Sequence, residues 1–164
     1  YELIEALEQE RFEEARALIL KKKGINRVDE YNQSPLILAL QKRKPDLVRL
    51  LIEAGANVNI ESKTIYRTAL QIAAQSGDLE AVRLLLAKGA LPDANDDENP
   101  PVFTAIMKGH DDIARLLIES GCDLKRQYIS RGKGYTVGDL AVIAKKPALI
   151  ELIRKRGGAF TRSP

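Results

Sequence analysis

The sequence predicts an all-α fold in which antiparallel helix pairs stack to form a solenoid. An interval of sixteen residues separates an alanine from a glycine in four places, at 39–55, 73–89, 105–121 and 141–157. The segments that join one copy to the next vary from 16 to 20 residues. The chain is 45% hydrophobic but only 5% aromatic, which indicates an aliphatic core. A constant body with variable joints is typical of stacked repeats, because each unit must bury its apolar face against its neighbours.

Each interval contains the signals for two helices. In the copy that begins near residue 34, Ser34 can cap a helix and Pro35 suits its first position. Lys44-Pro45 then ends this first helix, and apolar residues between 47 and 52 recur at helical spacing. Gly55 supplies a left-handed residue at the end of the second helix. The recurrent alanine is expected at the seam of the pair, where a larger side chain would overpack the contact.

The intervals divide the chain into five units within one domain. Residues 1–28 are predicted to form an N-terminal capping repeat, and residues 128–164 a C-terminal capping repeat. The internal repeats are predicted at 29–61, 62–94 and 95–127. Ala6 takes the place of the small residue in the first unit. Arg154 replaces an apolar residue in the last helix, which predicts a solvated face at the end of the array.

This pattern resembles the ankyrin repeat, whose unit reads as a turn, T-P-L-H-x-A-A, a Gly-His break and a stripe ending in L-L-x-x-G-A. The corresponding first segments are SPLILAL at 34–40, TALQIAA at 68–74, PPVFTAI at 100–106 and TVGDLAV at 136–142. The second segments are VRLLIEAGANVN, VRLLLAKGALPD, ARLLIESGCDLK and IELIRKRGGAF. Four copies in phase cover nearly the whole chain and make the resemblance specific.

The chain departs from the family pattern at the histidine and at the helix break. Ile37, Gln71, Phe103 and Asp139 stand where the family has histidine, so the hydrogen bonds of that histidine must be absent or rebuilt. In two copies the Gly-His break is interpreted as Lys44-Pro45 and Lys146-Pro147. These differences bear on turn geometry and leave the predicted fold unchanged.

The composition argues against catalysis and against a metal or other cofactor. A single histidine and a single cysteine cannot build a metal site of the usual nitrogen and sulfur ligands. Cys122 follows a helix-ending glycine and is interpreted as a small packing residue. Gly132-Lys133-Gly134 lacks the spacing of a phosphate-binding loop and is expected to be a flexible loop without a neighbouring strand. The sequence therefore predicts a protein that is not an enzyme.

Features that the sequence lacks give our expectations for its compartment and its oligomeric state. No run of 18 uncharged apolar residues and no signal peptide is visible, so we expect no membrane span. The absence of a cysteine pair fits a reducing, intracellular or cytoplasmic compartment. We expect a monomer. Because the chain begins at Tyr1 without an initiator methionine, we also expect that it is a fragment or a processed product.

The resemblance implies a protein-interaction scaffold that binds a partner protein through the concave side of the array. That side consists of turn tips and the exposed faces of the first helices. The residues at these positions are Tyr31, Gln33, Gln41, Lys42, Tyr66, Arg67, Gln75, Asp96, Asp97, Met107, Lys108, Tyr128 and Tyr135. Tyrosine and arginine commonly anchor interfaces. The alternative for some of these tyrosines is a structural role, covering the joints between copies. The long joints at 60–67 and 125–135 are expected to carry specificity.

Two alternatives remain from the sequence alone. The first is a regulatory or targeting domain of a larger, possibly enzymatic, protein. The second rests on charge, because residues 125–164 have ten basic and two acidic residues, a net charge of +8 within a chain of net charge +3. Such a basic end can bind an acidic ligand or nucleic acid. A solvated polar cap is the interpretation that the terminal position favours.

Overall fold

The computed structural model describes residues 1–65, 67–93 and 100–163. Its helices are α1 (Glu2–Glu8), α2 (Phe12–Leu20), α3 (Pro35–Gln41), α4 (Pro45–Glu53), α5 (Ala69–Ser76), α6 (Leu79–Ala87), α7 (Pro101–Lys108), α8 (Asp111–Glu119), α9 (Val137–Ile143) and α10 (Pro147–Lys155). Two short antiparallel hairpins interrupt them, β1 (Glu61–Ser62) with β2 (Arg67–Thr68) and β3 (Tyr128–Ser130) with β4 (Lys133–Tyr135). The predicted all-α class is confirmed. We call the odd-numbered helices the first helices and the even-numbered ones the second helices.

The described residues form two compact units. Unit 1 contains Tyr1–Ala73 and Glu80–Leu91, and unit 2 contains Ala74–Leu79 and Pro92–Pro164. In unit 1, α1 packs on α2 and on α3, and α4 packs on α3 and on α2. In unit 2, α7 packs on α8 and on α9, and α10 packs on α9 and on α8. Each unit therefore contains helix pairs in which first helix stacks on first helix and second on second.

The recurrent alanine and glycine take the places that the interval predicts. The alanines are fully buried, with no exposed surface at Ala6, Ala39, Ala73, Ala105 or Ala141. The glycines have positive φ, with 96° at Gly55, 86° at Gly89, 90° at Gly121 and 72° at Gly157. Lys22 lies at the equivalent position of the first unit and has a φ of 52°. The interval thus marks a buried seam and a left-handed helix end in all five copies.

Two histidine replacements rebuild the cap of their first helix. Gln71 Oε1 accepts from the Thr68 N–H at 2.8 Å, and Thr68 Oγ1 accepts from the Gln71 N–H at 3.3 Å. Asp139 and Thr136 form the same reciprocal box, at 2.8 and 3.1 Å. Such boxes satisfy donors that a helix start leaves without an intrahelical partner. In the other two copies the histidine position is apolar and joins the core, since Ile37 is 1% and Phe103 7% exposed.

The structure corrects our interpretation of the inter-helix turns. The left-handed residue lies one position earlier than we assigned it, at Arg43 (φ 53°) and Lys145 (φ 55°). Gly77 (φ 74°) and Gly109 (φ 77°) hold the equivalent place in other copies. Pro45, as expected, and Pro147 are the first residues of their helices, where the missing N–H has no partner to lose. The equivalents of Gly-His are therefore Arg43-Lys44 and Lys145-Lys146.

We expect Lys145→Gly to raise the free energy of unfolding by about 0.5–1 kcal/mol. A left-handed L-residue destabilises the folded state by roughly 1–2 kcal/mol, a cost that glycine removes. The larger unfolded-state entropy of glycine offsets part of this gain. Urea denaturation followed by circular dichroism measures the difference. Arg115→Gly, on the exposed surface of α8, is the control and should cost about 1 kcal/mol. A Lys145→Gly variant less stable than wild type contradicts the assigned strain.

The second long joint also differs from our expectation. We predicted a flexible loop at Gly132-Lys133-Gly134, whereas Lys133 and Gly134 belong to β4 and pair with Ser130 and Ile129. The two residues at the tip, Arg131 and Gly132, have φ values of 49° and 73°. Two consecutive positive φ angles are characteristic of the tight type I′ hairpin, whose twist matches its strands. The joint is therefore an ordered finger.

A ladder of side chains spaced 33 or 34 residues apart ties successive turns to one another within each unit. Asn26 accepts from the Asn57 N–H at 2.7 Å and donates to the Gly55 carbonyl. Asn59 repeats this arrangement with the Leu91 N–H at 3.0 Å and the Gly89 carbonyl at 3.1 Å. In unit 2, Asp93 accepts from the Asp123 N–H at 2.9 Å. The sequence signal for this ladder is an amide or carboxylate recurring at the repeat spacing, which our reading of the sequence missed.

Candidate partner-binding surface

In unit 1 the predicted residues lie on a turn and at the end of α3. Asp29 accepts from the N–H groups of Tyr31 and Gln33 at 2.9 and 2.8 Å, which fixes this turn. The Tyr31 side chain is 52% exposed, and its pKa is raised by the neighbouring Glu30 carboxylate, with a smaller contribution from Asp29. Gln41 is exposed at the last position of α3. Tyr31, Gln33 and Gln41 are thus presented by one ordered turn and its helix.

Lys42 and Arg67 occupy different settings in the same unit. Lys42 Nζ pairs with Glu10 Oε1 at 2.8 Å, and this contact lowers the pKa of Glu10. Lys42 is therefore engaged in an intramolecular ion pair. Arg67 is exposed on β2, where it is in register with Ser62. Tyr66, together with Asp96 and Asp97, lies outside the described residues.

Unit 1 also has an open acidic cleft of about 450 Å³ beside the Tyr31 turn. It is lined by Tyr1, Ile4, Glu5, Glu8, Asp29, Glu30 and Tyr31. Two of these carboxylates, Glu5 and Glu8, belong to segment 1–28, which is neutral overall, and the other two, Asp29 and Glu30, follow it directly, so the lining of this cleft is acidic.

In unit 2 the predicted surface residues are mostly exposed, and one further residue joins them. Met107 is 67% exposed at the end of α7, and Lys108 beside it is also exposed. Gln75 is half-buried. Ile143, which we did not predict, is 50% exposed at the end of α9. It lies two residues after its alanine, the same offset as Gln41, Gln75 and Met107, and that offset is the signal that could have found it.

The two predicted tyrosines of unit 2 do not present free rings. Tyr128 is only 2% exposed, and its ring packs edge-on against Phe103 with 4.6 Å between centroids. This corrects its placement on the binding surface, because the alternation of β3 turns Tyr128 to the core and Ile129 outward. Tyr135 is half-buried, and the Arg162 guanidinium lies over its ring at 4.9 Å.

The single cysteine is buried, and the described residues hold no metal-binding group of side chains. Cys122 is 5% exposed, and burial raises the pKa of its thiol to about 12, so the thiolate is scarce at neutral pH. The prediction that it packs as a small residue is confirmed by this burial. Within residues 1–65, 67–93 and 100–163 no group of three or more His, Cys, Asp or Glu side chains is placed to hold a metal ion. Across the same residues no helix has the length and apolar character needed to span a bilayer.

Comparison with known families gives two matches. The family model described as ankyrin repeats (3 copies) matches residues 61–128, and the one described as ankyrin repeat matches residues 31–63. Together they extend from residue 31 to residue 128.

Curated relatives are similar over part of their length. Ankyrin repeat domain-containing protein 63 of Homo sapiens is 38% identical over 96 residues, which are 56% of this chain and 25% of that protein. The probable E3 ubiquitin-protein ligase XBOS34 of Oryza sativa subsp. japonica is 39% identical over 107 residues, 62% of this chain and 20% of that protein. Glycerophosphocholine phosphodiesterase GDE1 of Candida albicans is 36% identical over 92 residues, 56% of this chain and 8% of that protein. The matched part therefore spans a quarter or less of each of these relatives.

Proposed function

Because the chain belongs to the ankyrin repeat family, we propose that it is a non-catalytic module that binds a partner protein through the exposed ends of its first helices and the adjoining turns. Ankyrin repeats generally mediate protein–protein interaction. The fold itself does not fix a function, so the proposal must rest on the surface.

One sequence position, the second residue after each buried alanine, carries the proposal. It is held by Glu8 and Gln41 in unit 1 and by Gln75, Met107 and Ile143 in unit 2. Glu8 and Gln41 are exposed in unit 1, as are Met107 and Ile143 in unit 2. The alanine is constant because packing requires it, whereas the residue two positions later changes from acidic to amide to apolar among the copies. An exposed position whose chemistry varies among the copies is suited to recognition rather than to folding.

A two-armed capture experiment tests this surface. The chain is immobilised, and partners from the source cells are compared between wild type, Gln41→Arg and Met107→Arg. We expect at least one specific partner to lose about tenfold or more in affinity, because a bulky charge in the middle of an interface is not accommodated. The lost partner is then produced in pure form and its binding is measured directly.

The control variants place the same charge on the second helices. Glu53→Arg and Glu119→Arg lie on exposed positions of α4 and α8 and should leave capture unchanged. Equal loss from both sets of variants, or full retention by both Gln41→Arg and Met107→Arg, contradicts the proposal.

A second proposal is that the module regulates or targets a larger protein. It is supported by the relatives, which are all longer than the matched segment and include proteins named as enzymes. Determining the complete coding sequence on both sides of residues 1–164 tests it, and an open reading frame confined to these residues contradicts it. Separately, we propose an intracellular localisation and a monomeric state, which microscopy of a tagged protein and light scattering would test.

A further inference from the structure

Exposed apolar side chains of unit 2 are confined to one set of elements. Among residues 100–163 the large hydrophobic residues that are exposed are Met107, Ile129 and Ile143, at 67%, 61% and 50%. They lie on α7, on β3 and on α9, while the large apolar residues of α8 and α10 face the core or are half-buried. Isolated exposed apolar residues are ordinary, but here all three belong to the first helices and their hairpin.

Two of these residues hold equivalent positions on neighbouring first helices. Met107 and Ile143 each follow a buried alanine by two residues, and their helices α7 and α9 pack on one another. Packed helices have axes about 8–10 Å apart, so equivalent side chains are separated by a similar distance. The pair therefore presents two apolar contacts at a defined spacing.

Among residues 100–163 exposed carboxylates are absent from these same elements. Lys108, Arg131, Lys133 and Lys145 are exposed on or next to α7, the β3–β4 hairpin and α9. The one carboxylate on these three elements, Asp139, is fully buried. From residue 100 to 163 the other carboxylates are on α8, on α10 or in the turn after α8, namely Asp111, Asp112, Glu119, Asp123 and Glu151. Among residues 100–163 the exposed charged side chains on α7, the β3–β4 hairpin and α9 are thus all positive, while Asp111, just beyond α7, pairs with Lys146 at 2.9 Å.

We propose that the surface of α7, the β3–β4 hairpin and α9 binds an acidic segment of a partner protein whose apolar residues contact Met107 and Ile143. This inference rests on the proposed function and names the chemistry of its partner. The spacing of the pair corresponds to residues three apart in a polyproline II segment, which has three residues per turn and rises about 3.1 Å per residue, so that both side chains lie on one face. The basic side chains around Met107 and Ile143 are complementary in charge to a partner segment whose two apolar residues are flanked by acidic residues.

Nucleic acid fits this surface less well than an acidic peptide. Binding of single strands without sequence preference relies on exposed aromatic rings on which bases stack. In unit 2 the ring of Tyr128 is buried against Phe103, and the ring of Tyr135 is covered by Arg162. The apolar side chains that are exposed are aliphatic, and they offer no stacking platform.

Fluorescence anisotropy with the purified chain tests the proposal. The probe is a labelled peptide of about twelve residues, rich in Asp and Glu, with two leucines three positions apart. We expect the double variant Met107→Ser, Ile143→Ser to weaken its binding at least about tenfold, since both apolar contacts are lost. A peptide with the leucines replaced by serine should bind wild type more weakly by a similar factor, and the double variant should cause little further loss.

Matched controls separate this surface from general charge attraction. Leu20→Ser, an exposed apolar position of unit 1, should leave the affinity unchanged. Failure of the leucine peptide to bind overturns the inference. So does equal or tighter binding of the serine peptide or of an oligothymidylate of equal charge. If the peptide result overturns the inference but partner capture still depends on Gln41 or Met107, the proposed function stands. If capture is unaffected by both variants, the proposed function is contradicted whatever the peptide result.

Discussion

Asp139→Ala should lower the free energy of unfolding by about 3 kcal/mol or more. Its carboxylate is fully buried and accepts hydrogen bonds from the Thr136 N–H, the Thr161 N–H and hydroxyl, and the Arg162 N–H, at 2.7 to 2.9 Å. Hydrogen bonds to a charged group contribute about 1.5–3 kcal/mol, and truncation leaves several donors without an acceptor. Guanidinium denaturation measures the change. Asp112→Ala, on the exposed surface of α8, is the control and should change stability by less than about 0.5 kcal/mol.

The pH dependence of the Asp139 effect follows from the direction of its pKa. Burial alone would raise the pKa of Asp139, but the hydrogen bonds from Thr136, Thr161 and Arg162 outweigh burial and lower it. A carboxyl group with a lowered folded-state pKa contributes stability above its unfolded pKa of about 3.9, and this is lost as the pH falls through the folded value. The stability difference between wild type and Asp139→Asn should therefore be largest near neutral pH and shrink in acid. A difference that stays constant down to about pH 2 contradicts this account.

Leu85→Ala has the second large expected effect, a loss of about 2–5 kcal/mol in the free energy of unfolding. Leu85 has no exposed surface and lies on the buried side of α6, on the same face as Ala81 and Val82. Removing its branched end leaves a cavity as well as losing the transfer free energy of the deleted carbons. Thermal and urea denaturation both report the change.

The matched control for Leu85 is a leucine of the same unit in solvent. Leu20 is 66% exposed at the end of α2, so Leu20→Ala should change stability by no more than about 0.5 kcal/mol. Denaturation midpoints for Leu85→Ala that coincide with those of Leu20→Ala would refute the placement of Leu85 in the core.

The periodic part of the fold was predictable from sequence because packing acts on every copy in the same way. Ala39 and Ala73 are buried and Gly55 is left-handed, as the interval requires. Ser34 caps α3 as predicted, with its Oγ 3.3 Å from the Ile37 N–H. The predicted solvation of Arg154 at the last helix is confirmed, since its side chain is exposed. The bounds of the five units stay a prediction.

The remaining features depend on context that residue type does not specify. A tyrosine is suited both to an interface and to a core, so only the strand register of Tyr128 places its ring against Phe103. Ile143 is apolar and would be assigned to the core, yet its offset from Ala141 directs it to the surface. Proline identifies where α4 begins, two residues after the left-handed Arg43. A left-handed conformation is strained for any L-residue, so an arginine there gives no sequence signal of it.

The burial of Cys122 makes the native chain a ready background for site-specific labelling. It is the single cysteine of the sequence, and its thiol stays protonated and inaccessible at neutral pH. A thiolate is the nucleophile that reacts with maleimide and iodoacetamide reagents, so a protonated, buried thiol is spared. A cysteine introduced at an exposed position such as Met107 or Gln41 would thus take up a fluorophore or spin label alone. Spectral changes on partner addition could then be read from one chosen point on the protein.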